Sequence, residues 1–267
     1  MNYISQIKPA EKLNLYRMAL GFIINKFRWD LKSPARKSKR ALENMKDRYK
    51  GKKLVILCNG PSLNAVDFDE LKNSDIFTIG LNKINLLFDE TDFRPNLIVS
   101  VNKLVINQNS EFFNSTDIEV ILDSSAADTI AKRHNVNFIH SLPFQLKFAG
   151  DVSGSVCQGY TVTYVALQIA YHLGFKKVAL IGCDHNFVTQ GSANMTVVAG
   201  DVDPNHFSSK YFSDGVKWQL PDLPGSELHY KMAKEYYEAN NREVVNCTVG
   251  GKLEIFNRMP LNQFLNE

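Results

Sequence analysis

Residues 53–62 of the 267-residue chain read Lys-Leu-Val-Ile-Leu-Cys-Asn-Gly-Pro-Ser, a short apolar run that ends in a tight turn. The run is continuous rather than alternating, which is typical of a strand buried on both faces of a parallel sheet. In the turn, Gly60 permits close backbone approach, Pro61 suits a first helical position, and Ser62 can cap a helix. The stretch therefore predicts a strand followed by a helix, the unit from which open α/β sheets are built.

Similar short β-rich runs recur along the chain and alternate with helical patterns. The predicted strands are 53–58, 76–80, 97–101, 120–122, 138–139, 178–181 and 244–246, and two clear helices are predicted at 160–173 and 226–240. This rhythm predicts an α/β, Rossmann-like fold: an open, mostly parallel sheet with helices on both faces.

Two segments depart from this rhythm and define the predicted organisation. Residues 1–52 form a basic helical arm, and residues 53–267 form the Rossmann-like domain. Residues 187–224 are rich in Gly, Ser, Asn and Asp and have weak periodicity, so we predict a lid-like insertion there. Leu13, Tyr16, Leu20, Ile23, Ile24 and Phe27 give the arm one apolar helical face, Pro34 interrupts it, and a second, very basic helix is expected over residues 35–53.

Composition excludes several classes of protein. Hydrophobic residues make up 44% and charged residues 22%, which is ordinary for a globular chain and unlike disordered or collagen-like sequences. No apolar run approaches the ~18 residues that a membrane-spanning helix needs. The 4 cysteines show no Cys-x-x-Cys pair, and no signal peptide is apparent, so the sequence predicts a cytoplasmic protein with reduced thiols.

The net charge of +3 hides a strong asymmetry. Residues 1–53 hold 15 lysines and arginines against 4 aspartates and glutamates, a net +11, which leaves −8 for the rest of the chain. Three interpretations of the arm stay open: a helix packed on the acidic body, an interfacial helix on an anionic membrane, and a nucleic-acid-binding element. We expect no nucleic-acid partner, because no recognition motif accompanies the charge.

Polar residues follow the predicted strands at the point where each one ends. Asn59, Asn82 and Asn102 come after three consecutive strands. In an open α/β sheet the ligand binds outside the carboxyl ends of the strands. Amide side chains both donate and accept hydrogen bonds, which suits sugar hydroxyls and base edges. These asparagines therefore predict a polar ligand pocket, with Gly60 and Ser62 in its phosphate-facing turn.

Two further segments contribute candidates to the same edge. Asp184 follows the strand at 178–181 and can accept a ribose hydroxyl or hold a metal. Gly159, Thr161 and Thr163 precede the helix at 160–173, where helix N-terminal amides can bind an anion. A simple threonine cap on a core helix explains that segment equally well.

A metal site is not predicted. Asp201 and Asp203 have the Asp-x-Asp spacing of many metal-dependent glycosyltransferases, but they lie in the irregular insertion. Cys58, Cys183, Cys247 and His185 resemble a zinc set only loosely, because structural zinc sites usually contain closely spaced pairs.

Two histidines are candidates for the general base. His229 is predicted near the start of the helix at 226–240, where the helix dipole favours the neutral ring. His206 lies within the insertion and is its rival.

The sequence as a whole resembles a known superfamily over about residues 53–255. The motifs are VILCNGPSLNAVDFDEL, LNK, VNK, GYTVTYVALQIAYHLGFKKVALIGCDH and VVNCTVGG, in that order. They resemble the bacterial CMP-sialic-acid-dependent sialyltransferases, and also the motility-associated flagellin glycosyltransferases and the 6-hydroxymethylpterin diphosphokinase type.

The resemblance implies roles for the residues already singled out. Asn59, Asn82 and Asn102 fall on nucleotide- and sugar-contacting asparagines, Gly60 and Ser62 on the phosphate loop, and Asp184 on the acidic residue after the late strand. His229 is the nearest match to the catalytic histidine. The sialyltransferases place two tyrosines after that aspartate; here Asn186 and a residue near Ser192 stand there. Tyr211 can replace them only if the insertion folds back.

The resemblance implies a glycosyltransferase that moves a sugar, such as a sialic-acid-like nonulosonic acid, from a nucleotide-sugar donor to a glycan or lipid-linked glycan acceptor. CMP is the nucleotide expected, no cofactor is expected, and lipopolysaccharide or capsule synthesis is the expected context. One alternative is an ATP-dependent diphosphokinase on a small hydroxymethyl heterocycle, with Mg²⁺ on Asp184 or on Asp201 and Asp203. The other is a non-catalytic protein that binds a nucleotide or a membrane surface.

Overall fold

The computed structural model describes residues 14–143, 145–188, 191–213 and 215–267. Its central sheet contains β1 (Lys53–Leu57), β2 (Phe77–Leu81), β3 (Leu97–Ser100), β4 (Glu119–Asp123), β5 (Val136–Ile139), β8 (Lys177–Ile181), β11 (Glu243–Asn246) and β12 (Asn257–Arg258). The strand order is β12-β11-β8-β1-β2-β3-β4-β5, and every neighbouring pair is parallel.

Two small pairs lie outside this sheet: β6 (Ser141–Leu142) pairs with β7 (Val156–Cys157), and β9 (Thr196–Val198) pairs with β10 (Lys217–Gln219). The helices are α1 (Leu15–Asp30), α2 (Ser33–Met45), α3 (Phe68–Asn73), α4 (Lys103–Gln108), α5 (Ser110–Ser115), α6 (Val162–His172), α7 (Leu223–Ala239) and α8 (Leu261–Asn266).

Strand β1 shows why the sheet is buried on both faces. Leu54 and Ile56 point into one apolar cluster, with α6 and α7, and Val55 and Leu57 point into a second cluster on the opposite face. All four side chains are fully buried. Because successive side chains of a strand alternate between faces, a continuous apolar run fills two cores at once. The predicted Rossmann-like fold is confirmed.

All seven predicted strands lie in the sheet, with ends that differ by one or two residues. The two-residue strand β12 was not predicted, since it is too short to carry a pattern. The second basic helix, predicted to extend to residue 53, is wrong at its end: α2 stops at Met45, and residues 46–51 form turns before β1.

The insertion is shorter than the predicted 187–224 and contains the β9–β10 hairpin. Helix α7 begins already at Leu223, because the Asp222 side chain accepts a hydrogen bond from the Gly225 amide and Pro224 fits the first turn. Pro224 looked like part of the loop in the sequence, but it is a helix-start signal.

The arm packs against the body through both of its described helices. Trp29 of α1 and Ala35 and Leu42 of α2 are buried in the two cores. The first 13 residues, which include Leu13 of the predicted apolar face, lie outside the described residues. No helix among the described residues is long and apolar enough to cross a membrane.

Candidate functional site

The sheet order places a switch point between β1 and β8, and at such a point open α/β sheets have a crevice at the carboxyl ends of the strands. The chain moves outward from β1 through β2 to β5, then returns to place β8 on the other side of β1. At such a switch point the loops after the two strands diverge, and ligands of open α/β sheets bind there. The turn after β1 (59–62) and the segment after β8 (182–185) both face this crevice.

Asp184 ties the two segments together beside Gly60. The Ser62 hydroxyl donates to Asp184 Oδ2 at 2.7 Å, and the Ser62 amide lies 3.3 Å from the same carboxylate. The Gly60 amide donates to the Gly182 carbonyl at 2.8 Å. A Cβ on Gly60 would lie 2.0 Å from Asp184 Oδ2, so any other residue there would displace the carboxylate. The structure thus brings three predicted residues, Gly60, Ser62 and Asp184, into direct contact.

Asn59 presents an unused hydrogen-bond acceptor at this edge. Its side chain is 8% exposed, and Oδ1 is buried without a hydrogen-bond partner among the described residues. Leaving such an atom unsatisfied costs about 1–3 kcal/mol. A ligand that supplies an N–H or O–H group would recover that energy.

The other two strand-end asparagines are held more firmly. Asn82 adopts a left-handed backbone (φ 52°), and its Oδ1 accepts from the Ser100 hydroxyl at 3.0 Å. Asn102 caps α4 by accepting from the Leu104 amide at 2.9 Å. Its Nδ2 donates to Gln219 Oε1 of β10 at 3.3 Å. Asn102 therefore links the sheet to the insertion, and of the three asparagines Asn59 has the acceptor left for a ligand.

The insertion folds back over the crevice. The Phe207 amide donates to the Asn59 carbonyl at 2.9 Å, and Asn64 Nδ2 donates to the Phe207 carbonyl at 2.9 Å. Tyr211 is 1% exposed, and its hydroxyl is hydrogen-bonded to the Asn82 side chain. Burial raises the pKa of Tyr211, so the hydroxyl stays protonated and can donate. The insertion therefore folds back far enough to bring Tyr211 to Asn82, just after β2.

His206 is oriented by a buried carboxylate within the insertion. His206 Nδ1 lies 2.7 Å from Asp203 Oδ2, and the His206 ring stacks on Tyr211 with centroids 3.9 Å apart and planes at 2°. Asp203 also accepts from the Asn205 amide at 2.8 Å and the Phe212 amide at 3.1 Å. Because Nδ1 faces a carboxylate, it carries the proton in the neutral ring, which leaves Nε2 as the basic nitrogen.

Lys83 is a residue of this site that the sequence analysis missed. Its side chain is buried, and Nζ donates to the Tyr211 carbonyl at 2.7 Å. Nζ also lies 5.0 Å from the centroid of the Phe212 ring. Burial lowers the pKa of Lys83 to about 8, and the negative charge of Asp203 opposes that shift. The available signal was its position directly after Asn82 at the end of β2.

His229 differs from the predicted arrangement. It lies in the second turn of α7, not in the first, because the helix starts earlier than predicted. It is buried, with Nδ1 2.8 Å from the Gly225 carbonyl oxygen and Nε2 3.3 Å from the Gln145 carbonyl oxygen. Both ring nitrogens therefore face carbonyl oxygens, and the ring must move before it can accept a proton.

Gly159 and Thr161 lie at the start of α6, as predicted. Gly159 has a positive φ of 56°, and a Cβ there would lie 2.4 Å from the Tyr164 ring. The Thr161 hydroxyl accepts from the Thr163 amide at 3.3 Å and lies 3.4 Å from the Tyr230 hydroxyl. Thr161 thus acts as the helix cap, and its contact with Tyr230 connects α6 to α7.

The arrangement of the described carboxylates and thiols bears on the question of a metal site. Among the described residues, no group of three or more His, Cys, Asp and Glu side chains is arranged to hold a metal ion. Asp201 is exposed whereas Asp203 is buried, so the two do not act as a pair. The hydrogen bond to Cys183 and burial raise the pKa of the Cys58 thiol, and Cys247 packs on the opposite face of the sheet.

His185 connects the segment after β8 to helix α7. Directly after Asp184 it adopts a left-handed backbone (φ 52°), and its Nε2 lies 3.1 Å from Glu227 Oε1. Mg²⁺ usually binds proteins through one or two carboxylates together with substrate phosphates. Since Asp203 is fully used inside the insertion, Asp184 is the carboxylate that lies at the crevice itself.

Comparisons with known proteins agree with this architecture. The model of a family described as 6-hydroxymethylpterin diphosphokinase MptE-like matches residues 32–190, which is more than half of the chain. A solved structure, the MAf glycosyltransferase from Magnetospirillum magneticum AMB-1, is similar with a TM-score of 0.50 and 16% identity. The match covers 85% of this chain and 38% of that chain, so it shows a shared fold over part of a longer protein. No curated protein sequence matches significantly.

Proposed function

Because the chain belongs to the 6-hydroxymethylpterin diphosphokinase MptE-like family, we propose that it is a transferase that binds a nucleotide-linked donor between the carboxyl ends of β1 and β8. The observation that carries this proposal is the buried, unpartnered Oδ1 of Asn59 at the switch point. Gly60, Ser62 and Asp184 lie beside it, but the Gly60 and Ser62 amides already donate to the Gly182 carbonyl and to Asp184, so in this proposal the phosphate is bound by other groups.

The group transferred is a sugar, and the acceptor is a glycan or lipid-linked glycan. The similarly folded MAf glycosyltransferase supports sugar transfer by analogy of fold alone. The donor is a nucleotide sugar, with CMP as the nucleotide, in keeping with the motif resemblance to sialyltransferases. Asn59 accepts from the nucleoside, and the Tyr211 hydroxyl donates to the departing phosphate.

The general base in this proposal is His206. Its Nδ1 is held by Asp203 and its ring by Tyr211, which is how a carboxylate orients a catalytic imidazole. The acceptor hydroxyl oxygen forms the new bond to the anomeric carbon, and its proton goes to His206 Nε2. The bond from that carbon to the phosphate oxygen breaks, and the electron pair leaves with the nucleotide. His229, the base expected from the sequence, is the second candidate.

A second candidate function follows from the family's description. An ATP-dependent diphosphokinase would transfer a diphosphate to the hydroxyl of a small heterocycle and would need Mg²⁺, with Asp184 the carboxylate placed to hold it. A protein that binds the nucleotide without turnover is the third reading of the same site.

A thermal-shift screen with CMP, UDP, GDP and ATP tests the proposal. A nucleotide present at about 100 times its Kd adds about 2.7 kcal/mol of stability. We expect CMP to stabilise the wild type and not Asn59→Ala, while Asn73→Ala, at an exposed asparagine in α3, behaves as wild type. An equal shift in Asn59→Ala would place the nucleotide elsewhere.

Further measurements separate the candidate reactions. A response to ATP alone that disappears in EDTA would favour the diphosphokinase. Binding of CMP and of a CMP-linked sugar without release of CMP in the presence of glycan acceptors would favour the non-catalytic reading.

A further inference from the structure

Helix α1 carries two apolar faces, and the body uses one of them. Met18, Phe22 and Trp29 face the protein, and the Trp29 ring packs edge-on against Phe138 with centroids 6.4 Å apart. The opposite face, together with Leu31 at the C-cap, carries six large apolar side chains in solvent, which we name the outer stripe. Its members and exposures are Tyr16 89%, Leu20 56%, Ile23 65%, Ile24 41%, Phe27 63% and Leu31 63%.

The outer stripe is continuous along the helix. Its members recur at steps of three and four residues, so they form one band over about four turns. Soluble proteins rarely leave such a band of apolar surface exposed unless it binds something. Helix packing on the body, the first interpretation of the arm, accounts for the face of Trp29 and leaves the outer stripe unexplained.

The charges around the stripe identify the kind of partner. Arg17 and Arg28 are exposed and directly follow the stripe residues Tyr16 and Phe27, which places them at its border. The next helix, α2, adds exposed Arg36 and Arg40 one turn apart. With a net +11 over residues 1–53, two copies of the arm would repel each other face to face. An anionic, apolar-cored surface complements both the charge and the stripe.

We propose that the outer stripe of α1 docks the protein onto the anionic leaflet of a lipid bilayer. The stripe enters the boundary between headgroups and acyl chains while the arginines contact lipid headgroups. Each basic residue near such a surface contributes about 1 kcal/mol. The helix lies in the plane of the interface and does not span the bilayer.

The position of α1 suits an enzyme whose acceptor is anchored in that bilayer. Trp29, in the last turn of α1, packs against Phe138, the next-to-last residue of β5. The last turns of α1 therefore lie near the carboxyl end of β5, at the same edge of the sheet as the candidate site. The docking surface does not depend on the proposed reaction, and its test requires no turnover.

Sedimentation of the full chain with vesicles tests the proposal. We expect binding to phosphatidylcholine vesicles that contain phosphatidylglycerol, little binding to phosphatidylcholine alone, and weaker binding at high salt. The triple variant Leu20→Ser, Ile23→Ser, Phe27→Ser should lose this binding. A matched triple variant at exposed valines of the body, Val198→Ser, Val202→Ser, Val249→Ser, should keep it. Arg17→Gln with Arg28→Gln should weaken binding about 30-fold, from about 2 kcal/mol lost.

Thermal melts of each variant confirm that it is folded before binding is measured. Equal recovery of the wild type in the supernatant with both kinds of vesicle would overturn the proposal. If the stripe variant still binds the vesicles, the binding is due to charge alone, and this result would also overturn the proposal. A dimer of the wild type in light scattering that the stripe variant dissolves, without vesicle binding, would assign the stripe to a second copy instead.

Discussion

The turn after β1 and the segment 203–212 of the insertion meet at the same edge of the sheet, yet they differ in how fully their buried side-chain acceptors are hydrogen-bonded. The turn leaves the Asn59 acceptor unused. In the insertion, by contrast, the Asp203 carboxylate is hydrogen-bonded within the insertion itself: it accepts from two backbone amides and from His206. In the proposed function, the strand ends supply the binding groups, and the insertion is a preorganised unit that presents an oriented ring.

The largest expected effect tests the insertion's part of this contrast. His206→Asn should reduce kcat by about 10²–10⁴-fold, the usual contribution of a general base, and leave donor Kd nearly unchanged. His229→Asn should cost much less, because both nitrogens of His229 already face carbonyl oxygens. Steady-state kinetics with separate donor titrations measure both. If His229→Asn reduces kcat more than His206→Asn does, the general base is His229 of α7, as the sequence analysis expected.

A smaller effect tests the turn. Gly60→Ala would bring a Cβ to 2.0 Å from Asp184 Oδ2, so the carboxylate must move and its bonds to Ser62 must break. Overpacking of this kind costs about 1–3 kcal/mol, and we expect both the melting temperature and donor affinity to fall. Gly154→Ala is the matched control, since no atom lies within 4 Å of its added Cβ. Unchanged donor affinity in Gly60→Ala would separate the turn from the site.

The smallest effect concerns Lys83, which joins the two regions by bonding the sheet to the Tyr211 carbonyl. Its pKa is about 8 in the folded protein against an ordinary 10.5. Between these values the unfolded chain binds more protons, so stability should rise with pH through this window. The free energy of unfolding of the wild type and of Lys83→Met can be measured with urea at several pH values. We expect the wild-type value minus the Lys83→Met value to increase as the pH rises above 8. A difference that stays flat or falls would mean that Lys83 is not buried when the insertion is docked.

The sheet could be predicted because its strands are buried on both faces and therefore appear as continuous apolar runs, as in β1 and β8. The edge at which Asn59, Gly60, Ser62 and Asp184 meet followed from the rule that parallel strands end together. Contact between Ser62 and Asp184 could not be predicted, since 122 residues separate them and only the crossover that places β8 beside β1 brings them together.

The insertion was beyond prediction for a different reason. The Asp203–His206 contact spans one turn of irregular chain, where neither a period of 2 nor one of 3.6 applies. Burial of Lys83 likewise depends on where the insertion docks. Helix α7 starts early because Asp222 caps it, and this start places His229 in the second turn. The cap was missed because Pro224 beside it is also typical of a loop.

One consequence of the arm concerns the solubility of the protein. Strand β5 is the outermost strand on one side of the sheet. The free backbone groups of an outermost strand are a template on which another chain can form strands and aggregate. Helix α2 covers this edge: the Phe138 amide, which has no neighbouring strand on that side, donates to the Ser38 hydroxyl at 2.9 Å. A chain shortened to begin at β1 would retain every strand of the sheet and yet expose β5 to its neighbours. The arm thus protects the sheet against self-association, whatever surface its outer stripe contacts.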